Sequence, residues 1–213
     1  MNECCQVMVD VSARQRRVLH VVLAVNLAMF LLEAVAGLLA ASTALLADSA
    51  DMLGDALVYG VSLYAVGRGA GWQARAAGLK GWVMAAFGAG VLVQVALKIA
   101  RGALPEADVM GGVGVIALAA NALCLLLLWR VRDDDVNMRS AWICSRNDVT
   151  ANVGVLAAAG AVALTGSGWP DIIVGLAIAA LFAGSAARVL RDARRARADV
   201  PAPTGPPSSL LNR

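Results

Sequence analysis

Histidine is almost missing from this chain: His20 is the only one in 213 residues. One imidazole cannot serve a Ser/His/Asp centre, and no glycine-rich phosphate-binding loop is present, so nothing argues for an enzyme. Charge is also scarce, at 15% of residues against 60% hydrophobic, with a mean hydropathy of +0.71. That balance excludes an ordinary soluble domain. The four cysteines, Cys4, Cys5, Cys124 and Cys144, lack the C-x-x-C spacing of a structural zinc site. Unpaired thiols in a reducing cytoplasm are the default for them, although Cys4 and Cys5 could catch a soft metal there.

What is present is hydrocarbon-compatible sequence. A spanning helix needs about 20 mostly apolar residues, and windows at roughly 17–40, 45–67, 79–100, 109–130, 138–165 and 169–190 qualify. The expected fold is all-α, a polytopic membrane protein with six transmembrane helices. It divides into an N-terminal cytoplasmic segment (1–16), a transmembrane domain (17–198) and a Pro- and Ser-rich disordered tail (199–213). The first apolar run is too long for a signal peptide and has no small-residue cleavage site, so it reads as a retained helix. Arg14, Arg16 and Arg17 precede it, Arg68, Arg75 and Lys80 fall in the second connection, and Arg130, Arg132 and Arg139 in the fourth. The other side has only Lys98 and Arg101, so both termini are expected in the cytoplasm, consistent with the arginines from Arg188 to Arg197. The net charge of +3 thus reports topology and headgroup contact, with no nucleic-acid partner implied.

Asp48, Asp51 and Asp55 lie inside the second apolar window. Each aspartate near the middle of a membrane helix costs roughly 2.5 to 3.5 kcal/mol on insertion scales, so such residues are rare unless something cationic uses them. Asp51 and Asp55 are four apart and share a helix face, with Asp48 on the same flank. Cys144 and Asp148 repeat the four-residue spacing in the fifth window. At 1.5 Å per residue Asp55 and Asp148 both reach the bilayer midplane. If the two helices are neighbours, oxygen and sulfur donors converge in a way that suits zinc or a softer relative. The same carboxylates could instead pair with Arg146 or hydrogen-bond across helices, and spacing leaves both readings open.

The stretches "NLAMFLLEAVAGLLAASTALLADSADMLGDALVYGVSLYA", "NMRSAWICSRNDVTANVGVLAAAGAV" and "GWPDIIVGLAIAALFAGSAARVL" resemble, in order, the first two, fifth and sixth helices of the cation diffusion facilitator family. The resemblance implies six helices, cytoplasmic termini, and export of divalent metal from a prokaryotic cytoplasm through the inner membrane in exchange for protons. Carried over residue by residue, it assigns the metal ligands to Asp51, Asp55, Cys144 and Asp148. The family usually has His where this chain has Cys144, and the softer thiolate favours zinc or cadmium over manganese or iron. A cytoplasmic metal-binding domain usually follows the sixth helix in that family, whereas only the tail is expected here, so a homodimer would rest on the transmembrane helices or not form. Transported metal, protons and lipid are the expected partners, with no tightly bound cofactor. The alternative reading is a membrane metal-binding protein that does not transport, a sensor or partner subunit.

Other residues have milder readings. Asn26, Glu33 and Asn121 are expected as interhelical hydrogen-bond partners or as supports to the ligands. Asp48 serves either the exit of metal or the start of its own helix. Asp171, after Pro170, suits the positive end of the sixth helix. Cys124 is a packing or lipid-facing residue, His20 a headgroup-level one, and Asp133 to Asp135 a solvated loop.

Overall fold

Hydrocarbon has no water for backbone N–H and C=O groups, so an apolar chain closes its hydrogen bonds inside helices. The computed structural model describes residues 12–65, 70–134 and 136–198. They form α1 (Ala13–Leu39), α2 (Thr43–Ala65), α3 (Ala70–Arg101), α4 (Ala107–Trp129), α5 (Val136–Thr165) and α6 (Trp169–Ala198), with no strand among the described residues. Five of the six are long and apolar enough to cross a membrane. The exception, α2, differs in composition and not in length, because every 18-residue stretch of it contains Asp48, Asp51 and Asp55. The chain is an all-α polytopic membrane protein.

Helix ends differ from the sequence expectation where local chemistry outweighs hydropathy. α1 starts at Ala13 because Ser12 Oγ accepts from the Gln15 amide at 3.4 Å while Gln15 Oε1 accepts from the Ser12 amide at 2.7 Å, a reciprocal cap. α3 reaches back to Ala70, so Arg75 and Lys80 belong to a helix and not to a loop. Its first turns, rich in Ala, Gln, Arg, Leu and Lys, have high helix propensity outside any apolar window. Arg68, Cys4, Cys5 and the tail from Asp199 lie outside the described residues.

The helices alternate in direction. Arg14 at the start of α1 donates to the carbonyl of Arg130 just after α4 at 3.1 Å, and the Glu106 amide before α4 donates to the carbonyl of Ala40 after α1 at 3.0 Å. One end of the bundle thus bears the described chain ends, and the α1–α2 turn lies at the opposite end. At the first end Trp129 and Trp142 meet edge to face at 5.6 Å, with the Arg132 guanidinium 3.7 Å from the Trp129 ring centroid. Such a cluster suits a membrane–water boundary.

α2 occupies the centre, touching α1, α3, α5 and α6. Residues 42–50 are buried without interruption, so α2 begins inside the protein. A buried helix start leaves amides without partners, and Asp171 of α6 supplies them. Its carboxylate accepts from the amides of Thr43 at 2.7 Å and Ala44 at 3.0 Å, and from Ser42 Oγ at 2.6 Å. Lys98 of α3 completes the knot, with Nζ 2.5 Å from Asp171 Oδ2 and 2.7 Å from the Ala41 carbonyl. Asp171 therefore serves the start of α2 across the bundle, and Lys98 is a buried ion-pair partner and not a topology-setting surface charge. Gly175 permits the contact: a Cβ there would lie 2.8 Å from the Thr43 carbonyl carbon and oxygen.

Candidate functional site

α2 and α5 touch and run antiparallel. One hydrogen bond sets their register, Asn152 Nδ2 donating to Asp48 Oδ2 at 2.6 Å. From that rung, a helical turn toward the chain-end side of the bundle brings Asp51 opposite Asp148, and a further turn brings Asp55 opposite Cys144. The spacing of four that repeats in both helices is therefore the spacing of rungs between them.

All four residues line one cavity of about 580 Å³. Its wall is otherwise mostly apolar, with Val58 of α2, Met84 of α3 and Phe182 of α6, and its polar members include Asn147 and Arg188. Along α6 the lining extends from Val174 to Arg188, roughly 21 Å of helix. The cavity thus runs along α6 from just past the Asp171 knot, where the first turns of α2 are buried, to Arg188 toward the end that bears the chain ends. Asp55, Cys144 and Asp148 are buried, and Asp51 is half-buried. Tyr59, 1% exposed and one turn beyond Asp55, donates its hydroxyl to Asp55 Oδ2 at 3.0 Å. Among the described residues, no three His, Cys, Asp or Glu side chains stand close enough to form a ready metal cluster. The three carboxylates and the thiol face a shared space. Chemically that is a hard-to-soft donor set in a low-dielectric cleft, a combination suited to a borderline or soft divalent cation.

The model of the cation efflux transmembrane domain matches residues 19–74 and 76–196, most of the chain and all six helices. The chain belongs to the cation efflux family. This is a family of transporters and not of enzymes. Two curated relatives are the metal cation efflux system protein CzcD of Cupriavidus metallidurans and the cation efflux system protein CzcD of an Alcaligenes species, strain CT14. Each is 28% identical over 181 residues, covering 79% of this chain and 57% of the relative. The chain thus spans little more than half the length of the curated relatives it matches. Family, bacterial relatives and apolar helices together identify a multi-pass protein of a prokaryotic inner membrane.

Within this cation efflux fold several neighbouring residues behave differently from their sequence reading. Asp48 does not cap its own helix, since its partner is Asn152, which in turn accepts from Asn121 Nδ2 of α4 at 3.1 Å. Asn121 is therefore an interhelical partner, as expected, whereas Asn26 donates to the Val22 carbonyl of its own helix. Arg146 is exposed, makes no ion pair among the described residues and faces the Trp142 ring at 5.7 Å. Cys124 is a packing residue in an apolar cluster with Leu19, Tyr59 and Leu128. Sequence reasoning missed Tyr59 and Asn152. Both continue the four-residue spacing, four beyond Asp55 and four beyond Asp148, and that extension was the available signal.

Proposed function

We propose that this chain exports zinc or cadmium from the cytoplasm in exchange for protons, with Asp51, Asp55, Cys144 and Asp148 as the ion ligands. The observation that carries this reading is the shared cavity: four donor side chains from two antiparallel helices line it, in a family of cation efflux transporters. The names of the curated relatives point to metal cations as the class of cargo. One thiol among three carboxylates favours a borderline or soft divalent ion over a hard one.

Orientation follows from charge. Arg14, Arg16, Arg17, Arg130, Arg132 and Arg139 gather at the chain-end side, whereas at the other end Lys98 is neutralised inside its ion pair, leaving Arg101. The positive-inside rule then faces the chain ends, and the cavity with them, toward the cytoplasm. Metal loads from that side. Four ionised ligands would concentrate four negative charges in a low dielectric, so protons occupy the site between metal ions and leave as one binds.

Asp55→Asn or Asp148→Asn tests the ligand assignment in a metal-sensitive host, because the amide keeps the volume and loses the charge. Each variant should insert at wild-type level and confer no zinc or cadmium tolerance. Wild-type tolerance from either one overturns the assignment.

A further inference from the structure

Glu33 of α1 is wholly buried at 0% exposure, and neither of its carboxylate oxygens has a hydrogen-bond partner among the described residues. Asp48 of α2 is 1% exposed, and its Oδ1 is likewise unpartnered while Oδ2 is taken by Asn152. Gly37 of α1 packs against Leu46 of α2, and Met29 clusters with Met52, so Glu33, midway between these two contacts, lies at the level of Asp48 and Asp51 across the helix pair. The groups around them on the other packed helices, Asn121 of α4 and Asn152 of α5, do not titrate. Asn26 Oδ1 and Asn121 Oδ1 are unpartnered acceptors as well. This part of the core is therefore rich in lone pairs and short of donors, and an isolated buried carboxylate costs far more than insertion scales allow unless its charge is met.

A proton fits this place better than a metal ion. Neither Glu33 nor Asp48 lines the cavity that reaches the four candidate ligands. Among the described residues no third carboxylate, thiol or imidazole completes a metal cluster around them. A proton needs no room and no third ligand.

We infer that Glu33 and Asp48, packed one turn beyond Asp51 on the side away from the cavity, form a carboxyl pair that holds an exchangeable proton and gives it up when a divalent cation arrives at the neighbouring site. This rests on the proposed metal site. The exchange balances simply: a carboxyl O–H bond breaks, the proton passes to water, and the carboxylate left behind is met by the charge of the incoming cation; release of the cation reverses each step. Neither residue is a ligand, so the pair acts through charge alone.

The test is zinc binding to the purified full chain in lipid nanodiscs, with calorimetry in buffers of different ionisation enthalpy to count protons released per ion. Glu33→Gln should bind zinc within about threefold of wild type and release about one proton fewer. Asp48→Asn should do the same, and it serves as the second variant should Glu33→Gln fail to insert. Infrared difference spectra with and without zinc should lose a protonated-carboxyl band in either variant. Full proton release with normal binding overturns the inference, as does loss of zinc binding by a folded Glu33→Gln protein, which would make Glu33 a ligand. No zinc binding by the wild type would instead sink the metal site itself, a separable result.

Discussion

Tyr59 holds Asp55 from one turn away on the same helix, its ring packed with Leu19 and Leu128 and its hydroxyl on the carboxylate. A hydrogen bond to a charged group contributes about 1.5 to 3 kcal/mol. Tyr59→Phe keeps the ring and loses the donor, so the protein should fold normally and bind zinc about tenfold more weakly by calorimetry. Wild-type affinity would show that Asp55 is positioned without the phenol. Cys144 offers a second test at this scale. Cys144→His should raise the zinc-to-cadmium transport ratio, since imidazole is the harder donor, and Cys144→Ser should weaken cadmium transport more than zinc transport. Competitive uptake of the two metals with matched expression measures it, and an unchanged ratio in both variants means that the thiol faces away from the ion. The candidate ligands were legible because carboxylates in an apolar run stand out against their surroundings. Tyr59 and Asn152 were not, since a tyrosine or an asparagine in such a run is ordinary and only the register of α2 against α5 gives it a partner.

At the scale of the helix, the unusual element is α2, whose first turns are enclosed on every side and whose amides end on a carboxylate from α6. Lys98, 4% exposed by side chain, depends on Asp171 in turn. Removing one partner of a buried pair leaves an uncompensated charge and costs about 3 to 5 kcal/mol. Asp171→Asn should therefore lower thermal stability in detergent sharply, and adding Lys98→Met should recover part of the loss. A double variant no more stable than the single one would show that the cost lies in the α2 amides and not in the ammonium. Helix contact makes a sharper prediction. Gly175→Ala drives a methyl into the backbone of Thr43, whereas at Gly112 a Cβ meets nothing within 4 Å. Overpacking of this kind costs about 1 to 3 kcal/mol, so Gly175→Ala should melt at a lower temperature and Gly112→Ala at the wild-type one. All six helices were legible as apolar windows, although the three aspartates leave α2 short of the hydropathy that the other five reach. The knot at Asp171 stayed hidden because a carboxylate after Pro170 reads as a cap for its own helix, and only the crossing of α6 over Thr43 redirects it.

For the whole molecule, the arrangement is asymmetric along the bundle: the cavity that holds the candidate ligands is lined as far as Arg188 toward the chain-end side, and the other end carries apolar packing and one buried ion pair. Under the proposed exchange the closed end must open while the cavity closes, so that a cation and its counter-protons never have a continuous path. Class and family were readable from composition and motif order. The side toward which the cavity extends depends on how helices without sequence-specific contacts lean on one another, and no local pattern encodes it. Under the proposed function, cation movement through this cleft is coupled to protons. Zinc uptake into sealed, everted vesicles that carry only this transporter, with and without an imposed pH gradient, tests that most directly. With the vesicle lumen acidic, uptake should be fast, should collapse when a protonophore abolishes the gradient, and should be absent for Asp55→Asn. Equal uptake with and without the gradient, or gradient-driven uptake by Asp55→Asn, would contradict the account.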